Sequence, residues 1–201
     1  MSEQPIGLTA LTTDSNVYNP IDELALIESA TRQLEAQPFY KLSELSKFNG
    51  SGVYALYYTG TNENYKTRLS KPIYIGKACG GKSRKGLKYS ATGTALYRRL
   101  KDHAKSISQV DNLNINDFYF RFMLTGEAVG VLTEWALIQR YRSVWNCVID
   151  GFGNHDQGKA RRTQQRSAWD TLHPGRKWAE SYTEPNKSMP KVLDQLKSSN
   201  S

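Results

Sequence analysis

Gly52-Val53-Tyr54-Ala55-Leu56-Tyr57-Tyr58 is the run that decides the fold. It is aromatic and β-branched enough to be a strand. Gly60-Thr61-Asn62-Glu63-Asn64 follows as a polar turn. A second strand reads across residues 72–76, Pro72-Ile73-Tyr74-Ile75-Gly76. A hairpin-like connection makes the two strands antiparallel neighbours. Tyr54 and Tyr74 then sit on adjacent strands and share one sheet face.

Working outward, Gly76 to Gly93 is a long Gly-, Ser- and Lys-rich stretch. A loop of that length inside a compact domain is usually functional. Thr94 reads as a helix N-cap, opening a helix over 95–107. Leu96, Leu100 and Ala104 share one face of it, and Arg99 and His103, four apart, share another. Residues 117–124 alternate, with Phe118, Phe120, Phe122 and Leu124 directed inward. A further helix runs from Gly126-Glu127 to about Arg142, with Val131, Trp135 and Ile138 as its apolar stripe and Glu134 beside it. Val144-Trp145-Asn146 is the exit turn. Upstream, residues 1–19 read as an irregular arm, and Asp22-Glu23 opens a helix to Ala36 with acids in its first turn. Leu24, Ile27, Thr31 and Leu34 share a face of that helix. The order predicts an α+β fold: a small antiparallel three-stranded sheet flanked by helices.

The 201 residues suit one domain with arms. The formal charge of +8 is unevenly placed. Residues 1–36 carry six acids against Arg32. Residues 77–105 carry nine bases against Asp102, including Lys77, Lys82, Arg84, Lys85 and Lys88. Residues 158–177 carry six more, among them Arg161, Arg162, Arg166 and Arg176, against Asp170. Two such segments, interleaved with Gly, Ser, Thr and Tyr, point to a polyanionic partner. There is no run that could span a bilayer and no basic-then-apolar leader. Cys79 and Cys147 are isolated, which suits packing residues. The expectation is a reduced, cytoplasmic protein.

Several residues carry possible chemistry, and each alone has a plain structural explanation. Glu134 beside an apolar stripe is costly to bury unless paired or metal-bound; Arg142 is a possible partner, Mg²⁺ another. A tyrosine acts as a base only if its pKa falls from about 10, and Lys77, Arg99 and His103 are the cations that could lower it. The Arg99 fork matches two phosphate oxygens. His103 could relay a proton or be an exposed imidazole at a helix end. Asn146 could fix a turn, or orient a phosphate or Tyr54.

Taken in order, Gly52-Val53-Tyr54, Tyr74-Ile75-Gly76, Arg99 with His103, Glu134 and Asn146 resemble the GIY-YIG nuclease family, with valine for the first isoleucine. The resemblance covers about residues 50–148. It implies a nuclease site made of Tyr54, Tyr74, Arg99, His103, Glu134 and Asn146, with Mg²⁺ on Glu134 and Tyr54 as general base. The string from Gly151 to Arg176 further resembles type II restriction enzymes of the subgroup that cuts CCGCGG. On that resemblance, residues 149–185 form a basic DNA-recognition extension. Arg161, Arg162, Arg166 and Arg176 there either read guanines or touch phosphates, and Lys77, Lys82, Arg84, Lys85 and Lys88 contact the backbone. Residues 1–49 are then an N-terminal arm and helix, 50–148 the catalytic core, and 186–201 a loosely ordered tail. The implied substrate is double-stranded DNA with a palindromic, G/C-rich site. One active site cuts one strand, so a homodimer is expected. A repair or homing nuclease and a silent nucleic-acid-binding module are the other classes.

Overall fold

The computed structural model describes residues 20–65, 69–78, 93–154, 165–185 and 187–199. The arm 1–19, the basic stretch with Lys82, Arg84, Lys85 and Lys88, and Arg161 and Arg162 lie outside them.

A four-stranded antiparallel sheet is the frame, in the order β1-β4-β2-β3. Its strands are β1 (Tyr40–Lys41), β2 (Gly52–Tyr58), β3 (Tyr74–Ala78) and β4 (Phe118–Leu124). The expected α+β arrangement is present, with β1 added at one edge. Two residues are too short to show a period, so the sequence pattern does not reveal it. In register, Tyr54 lies opposite Gly76 on one side and Phe122 on the other.

All seven residues of β2 are buried, because helices cover both sheet faces. Tyr54, Leu56 and Tyr58 face a core built by α2 (Ala95–Ser108), α4 (Val144–Cys147), α5 (Ala168–Leu172) and α7 (Met189–Ser199). Val53, Ala55 and Tyr57 face the second core, under α1 (Glu23–Glu35) and α3 (Glu127–Tyr141). Two short elements, α6 (Lys177–Glu180) and the parallel pair β5 (Gln165–Arg166) with β6 (Thr183–Pro185), complete the C-terminal part.

The helices begin close to where the sequence places them. Asp22 caps α1 by accepting from the Ala25 N–H at 3.0 Å. Thr94 precedes α2 but makes no side-chain cap bond. Three buried faces differ from expectation. Leu24 is 75 % exposed, because α1 buries its stripe only from its second turn, through Ala30, Thr31 and Leu34. Of the expected α3 stripe, Trp135 and Ile138 are half-buried against the second core but Val131 is exposed, and the fully buried residues are Gly130, Thr133, Ala136 and Leu137. In β4, Phe118 and Phe120 are buried as expected, but Leu124 is exposed at the strand end, and Met123 is buried on the opposite face.

The C-terminal third corrects two further expectations. Residues 189–199 are a helix rather than a loose tail, and Val192 and Leu196 enter the main core. Pro190 lies in the first turn of that helix, where its missing N–H is not required. The segment after 149 is likewise no appendage: Phe152, Ala168, Trp169 and Leu172 share the core with Trp145. Polar groups tie it in. Tyr65 O–H donates to His173 Nε2, His173 Nδ1–H donates to Asn112 Oδ1 at 2.7 Å, and Asn112 Nδ2–H donates to Leu172 O at 2.9 Å. Cys147, expected to pack, is exposed, and Cys79 lies outside the described residues.

Candidate active site at the β3 edge

The site wraps around β3, an edge strand. Its alternation sends Tyr74 and Gly76 to the α2 face and Ile75 and Lys77 to the α3 face. Tyr54 on β2 and Tyr74 stand side by side, ring centroids 6.2 Å apart. Gly76 makes that possible: a Cβ there would lie 2.7 Å from Tyr54 Cζ and 3.0 Å from Tyr74 Cε1. The two tyrosines need the space that any side chain would take.

From α2, Arg99 and His103 close over the phenols. Arg99 Nε–H donates to the Tyr54 oxygen at 3.3 Å. The Tyr54 hydroxyl also hydrogen-bonds His103 Nε2, at 2.5 Å. His103 is 1 % exposed. It belongs to the buried face with Leu100 and Ile107, not to an exposed helix end. Phe152 stacks on its ring, centroids 4.4 Å apart and 15° from parallel.

Tyr54 is 0 % exposed. Burial pushes its phenol well above the ordinary tyrosine range, with the Tyr74 phenol adding to the rise and Arg99 opposing it. Tyr74 is raised as well, again by burial first and against Arg99. The sequence reading expects nearby cations to lower such a phenol. Arg99 does pull downward, but removal from water outweighs it. In this site Tyr54 is therefore held as a neutral phenol, not a resting phenolate.

On the other side of the strand, Glu134 from α3 forms an ion pair with Lys77. Its carboxylate is partly exposed and its charge raises both phenols. Lys77, expected at DNA phosphates, is thus engaged with the carboxylate, and Arg142 is not the counter-ion. Glu134 fits a hard divalent cation: it is a carboxylate open to solvent whose position already attracts a cationic group. Among the described residues no three His, Cys, Asp or Glu side chains cluster, so a cation held there would keep most of its ligands as water.

Asn146 spends its amide on the backbone of β3. Its Oδ1 accepts from Ile75 N–H and its Nδ2–H donates to Ile75 O, both at 2.8 Å. The side-chain amide thereby satisfies the outward backbone groups of the edge strand, as a neighbouring strand would. Asn146 fixes β3, and with it Tyr74.

The extension's arginines divide. Arg176 is 1 % exposed. Its Nε–H meets Asp170 Oδ1 at 2.6 Å, and its guanidinium lies between Trp169 and Trp178, at 4.4 and 4.6 Å from their ring centroids. It is a core residue, not a DNA contact; nothing in its sequence neighbourhood separates it from the other basic residues. Arg166 is partly exposed on β5.

An antiparallel four-stranded sheet flanked by helices, with paired tyrosines at a glycine-lined strand edge, is consistent with a GIY-YIG-like fold. A family model described as the Eco29kI GIY-YIG domain matches residues 46–199. The chain belongs to that family, a nuclease domain of the restriction-enzyme type. The match runs through α7, which places the C-terminal helix inside the domain. No curated protein sequence matches the chain. Among the described residues no helix is long and apolar enough to cross a membrane.

Proposed function

We propose that this protein is a type II site-specific deoxyribonuclease that hydrolyses both strands of a palindromic, G/C-rich duplex, with CCGCGG the first sequence to try. The observation that carries the reading is the Arg99–Tyr54–His103 chain beside Tyr74, with Glu134 across the strand.

In the proposed reaction the phosphate seats against Arg99, whose planar fork matches two oxygens and gains strength as charge builds in the transition state. Tyr54 works as a relay rather than a preformed base. As water attacks phosphorus, its proton passes to the Tyr54 oxygen while the Tyr54 proton passes to His103 Nε2. The phenol begins and ends neutral, which suits its burial. Tyr74 holds the attacking water or a phosphate oxygen. Glu134 would hold Mg²⁺, which when bound would supply positive charge to offset the charge that develops on the phosphate. The P–O3′ bond breaks as the water oxygen bonds to phosphorus, and the departing oxygen takes a proton from a solvent water, which leaves 5′-phosphate and 3′-hydroxyl ends. Asn146 acts through β3 and touches no reactant.

Two such centres are required for a duplex, so the proposal includes a homodimer, with the N-terminal arm and α1 as its contact and the cytoplasm as its setting. Lys82, Arg84, Lys85 and Lys88 are proposed as phosphate contacts, and Arg161, Arg162 and Arg166 as guanine or phosphate contacts. The test is incubation of supercoiled plasmid with Mg²⁺ and sequencing of the ends. Discrete fragments with one common end sequence support restriction. Random nicking points to another nuclease use of the domain, and a retarded but intact band to a binding module.

A further inference from the structure

Resting on the nuclease reading above, we infer that Gly153 is a positioning residue of the active site, set in place by the buried Arg176–Asp170 pair. The inference starts from where one guanidinium spends its donors. Besides Asp170, Arg176 donates to three successive parts of one loop: Nη2–H to Gly151 O at 3.0 Å, and Nη1–H to Phe152 O at 3.2 Å and Asn154 O at 3.4 Å. Asp170 is itself fixed, its Oδ2 accepting from Ser167 Oγ–H at 2.6 Å. A buried ion pair with this many satisfied donors is costly to assemble and holds one geometry once assembled.

The loop so held delivers two groups to the chemistry. The Gly153 carbonyl accepts from Arg99 Nη2–H at 2.9 Å. Together with the Nε–H bond to Tyr54, this anchors the guanidinium at two of its three nitrogens. Phe152 supports the His103 ring from behind and meets Tyr74 edge-on at 5.0 Å. Glycine at 153 is required by space rather than by backbone angle. A Cβ there would lie 2.8 Å from the Tyr74 hydroxyl and 3.3 Å from Arg99 Nη2, and no positive φ is involved. A methyl group at this position therefore pushes on the two side chains closest to the phosphate without straining the loop.

Gly153→Ala is the test, with three readouts on the full-length protein. Displacement of a catalytic group by about 1 Å can cost about 100-fold in rate, so single-turnover cleavage with Mg²⁺ should slow by at least about tenfold. Affinity for the same DNA in Ca²⁺ and the melting temperature should stay at wild-type values. In the free protein, NMR of the arginine side chains, with Arg99 assigned through Arg99→Lys, should show its guanidinium rotating faster than in wild type. Wild-type cleavage by Gly153→Ala with an unchanged Arg99 signal overturns the inference. So does a rate loss accompanied by an equal loss of binding or of melting temperature, which would mark a merely structural glycine. If the wild-type protein cuts no DNA, the nuclease reading fails instead, and the Arg99 signal still decides whether Gly153 positions it.

Discussion

Lowering the pH from 7 to 5 should remove about 2 kcal/mol of folding stability through one side chain, His173. Its imidazole is fully buried between Tyr65, Asn112, Trp145 and Trp169. Burial, reinforced by the charge of Arg176, lowers its pKa from 6.5 to about 3. Both ring nitrogens have work to do in the neutral form: Nδ1 donates to Asn112 and Nε2 accepts from Tyr65. A proton on Nε2 removes that acceptor. The folded chain therefore refuses a proton that the unfolded chain accepts. Stability is complete above about 6.5 and falls as the pH drops toward about 3, by about 1.4 kcal/mol for each pH step. Against a total of about 5–15 kcal/mol, a loss of about 2 is large, and it should lower the urea midpoint by about 1 M. Tryptophan fluorescence is a suitable probe, since Trp169 lies 4.9 Å from the His173 ring. His173→Gln should be less stable at pH 7 but should lose little more on going to pH 5. If the variant and the wild type lose the same amount over that interval, His173 is not the titrating group and the reasoning fails.

Glu134→Gln should abolish cleavage while leaving DNA affinity intact, because the amide keeps the shape and loses the charge that holds Mg²⁺; cleavage at the wild-type rate would remove Glu134 from the metal site. Tyr54→Phe should slow single-turnover cleavage by about two to four orders of magnitude, and a larger loss in Tyr74→Phe beside an active Tyr54→Phe would move the proton-handling role to Tyr74. Arg176→Met leaves Asp170 buried without its counter-charge and should cost about 3–5 kcal/mol in denaturant unfolding, with no change in preference across single-base variants of the site. A preference change at one base pair without a stability loss, as expected for an exposed guanine-reading arginine, would contradict its burial.

Much of this architecture is legible in the chain because the governing signals are local. The β2 run and the Thr94 boundary of α2 can be read from neighbouring residues alone, and the i, i+4 spacing alone brings Arg99 and His103 to the same centre. What the sequence hides depends on distant partners. Arg176 and Arg166 carry the same charge in the same basic segment, and only the approach of Trp169, Trp178 and the 151–154 carbonyls makes one of them core. Asn146 is correctly singled out, but its two bonds go to Ile75, seventy-one residues away in sequence, and no spacing rule shows that. Tyr54 is the instructive case. Cations near a phenol are visible in the sequence, whereas the depth of burial that outweighs them is set by α2 together with helices from the C-terminal third of the chain. Gly153 has no signal at all until Tyr74 and Arg99 are placed around it.

The six letters Gly52-Val53-Tyr54 and Tyr74-Ile75-Gly76 can be sorted by what each would lose on substitution. Val53 and Ile75 point away from the reaction into the core under α1 and α3, beside Leu34, Ala136 and Leu137. Valine for isoleucine there is a change of one methylene on the far side of a sheet, and the chemistry does not register it. Gly52 and Gly76 are vacancies: a Cβ at 52 would lie 2.8 Å from Thr125 N, and one at 76 would strike the Tyr54 ring. Only the two tyrosines bring a polar side-chain group to the face shared with Arg99 and His103. The signature by which such domains are recognised is thus mostly a description of a mould. Its aliphatic letters can drift at constant volume, whereas its glycines, the least reactive residues in it, tolerate no atom at all.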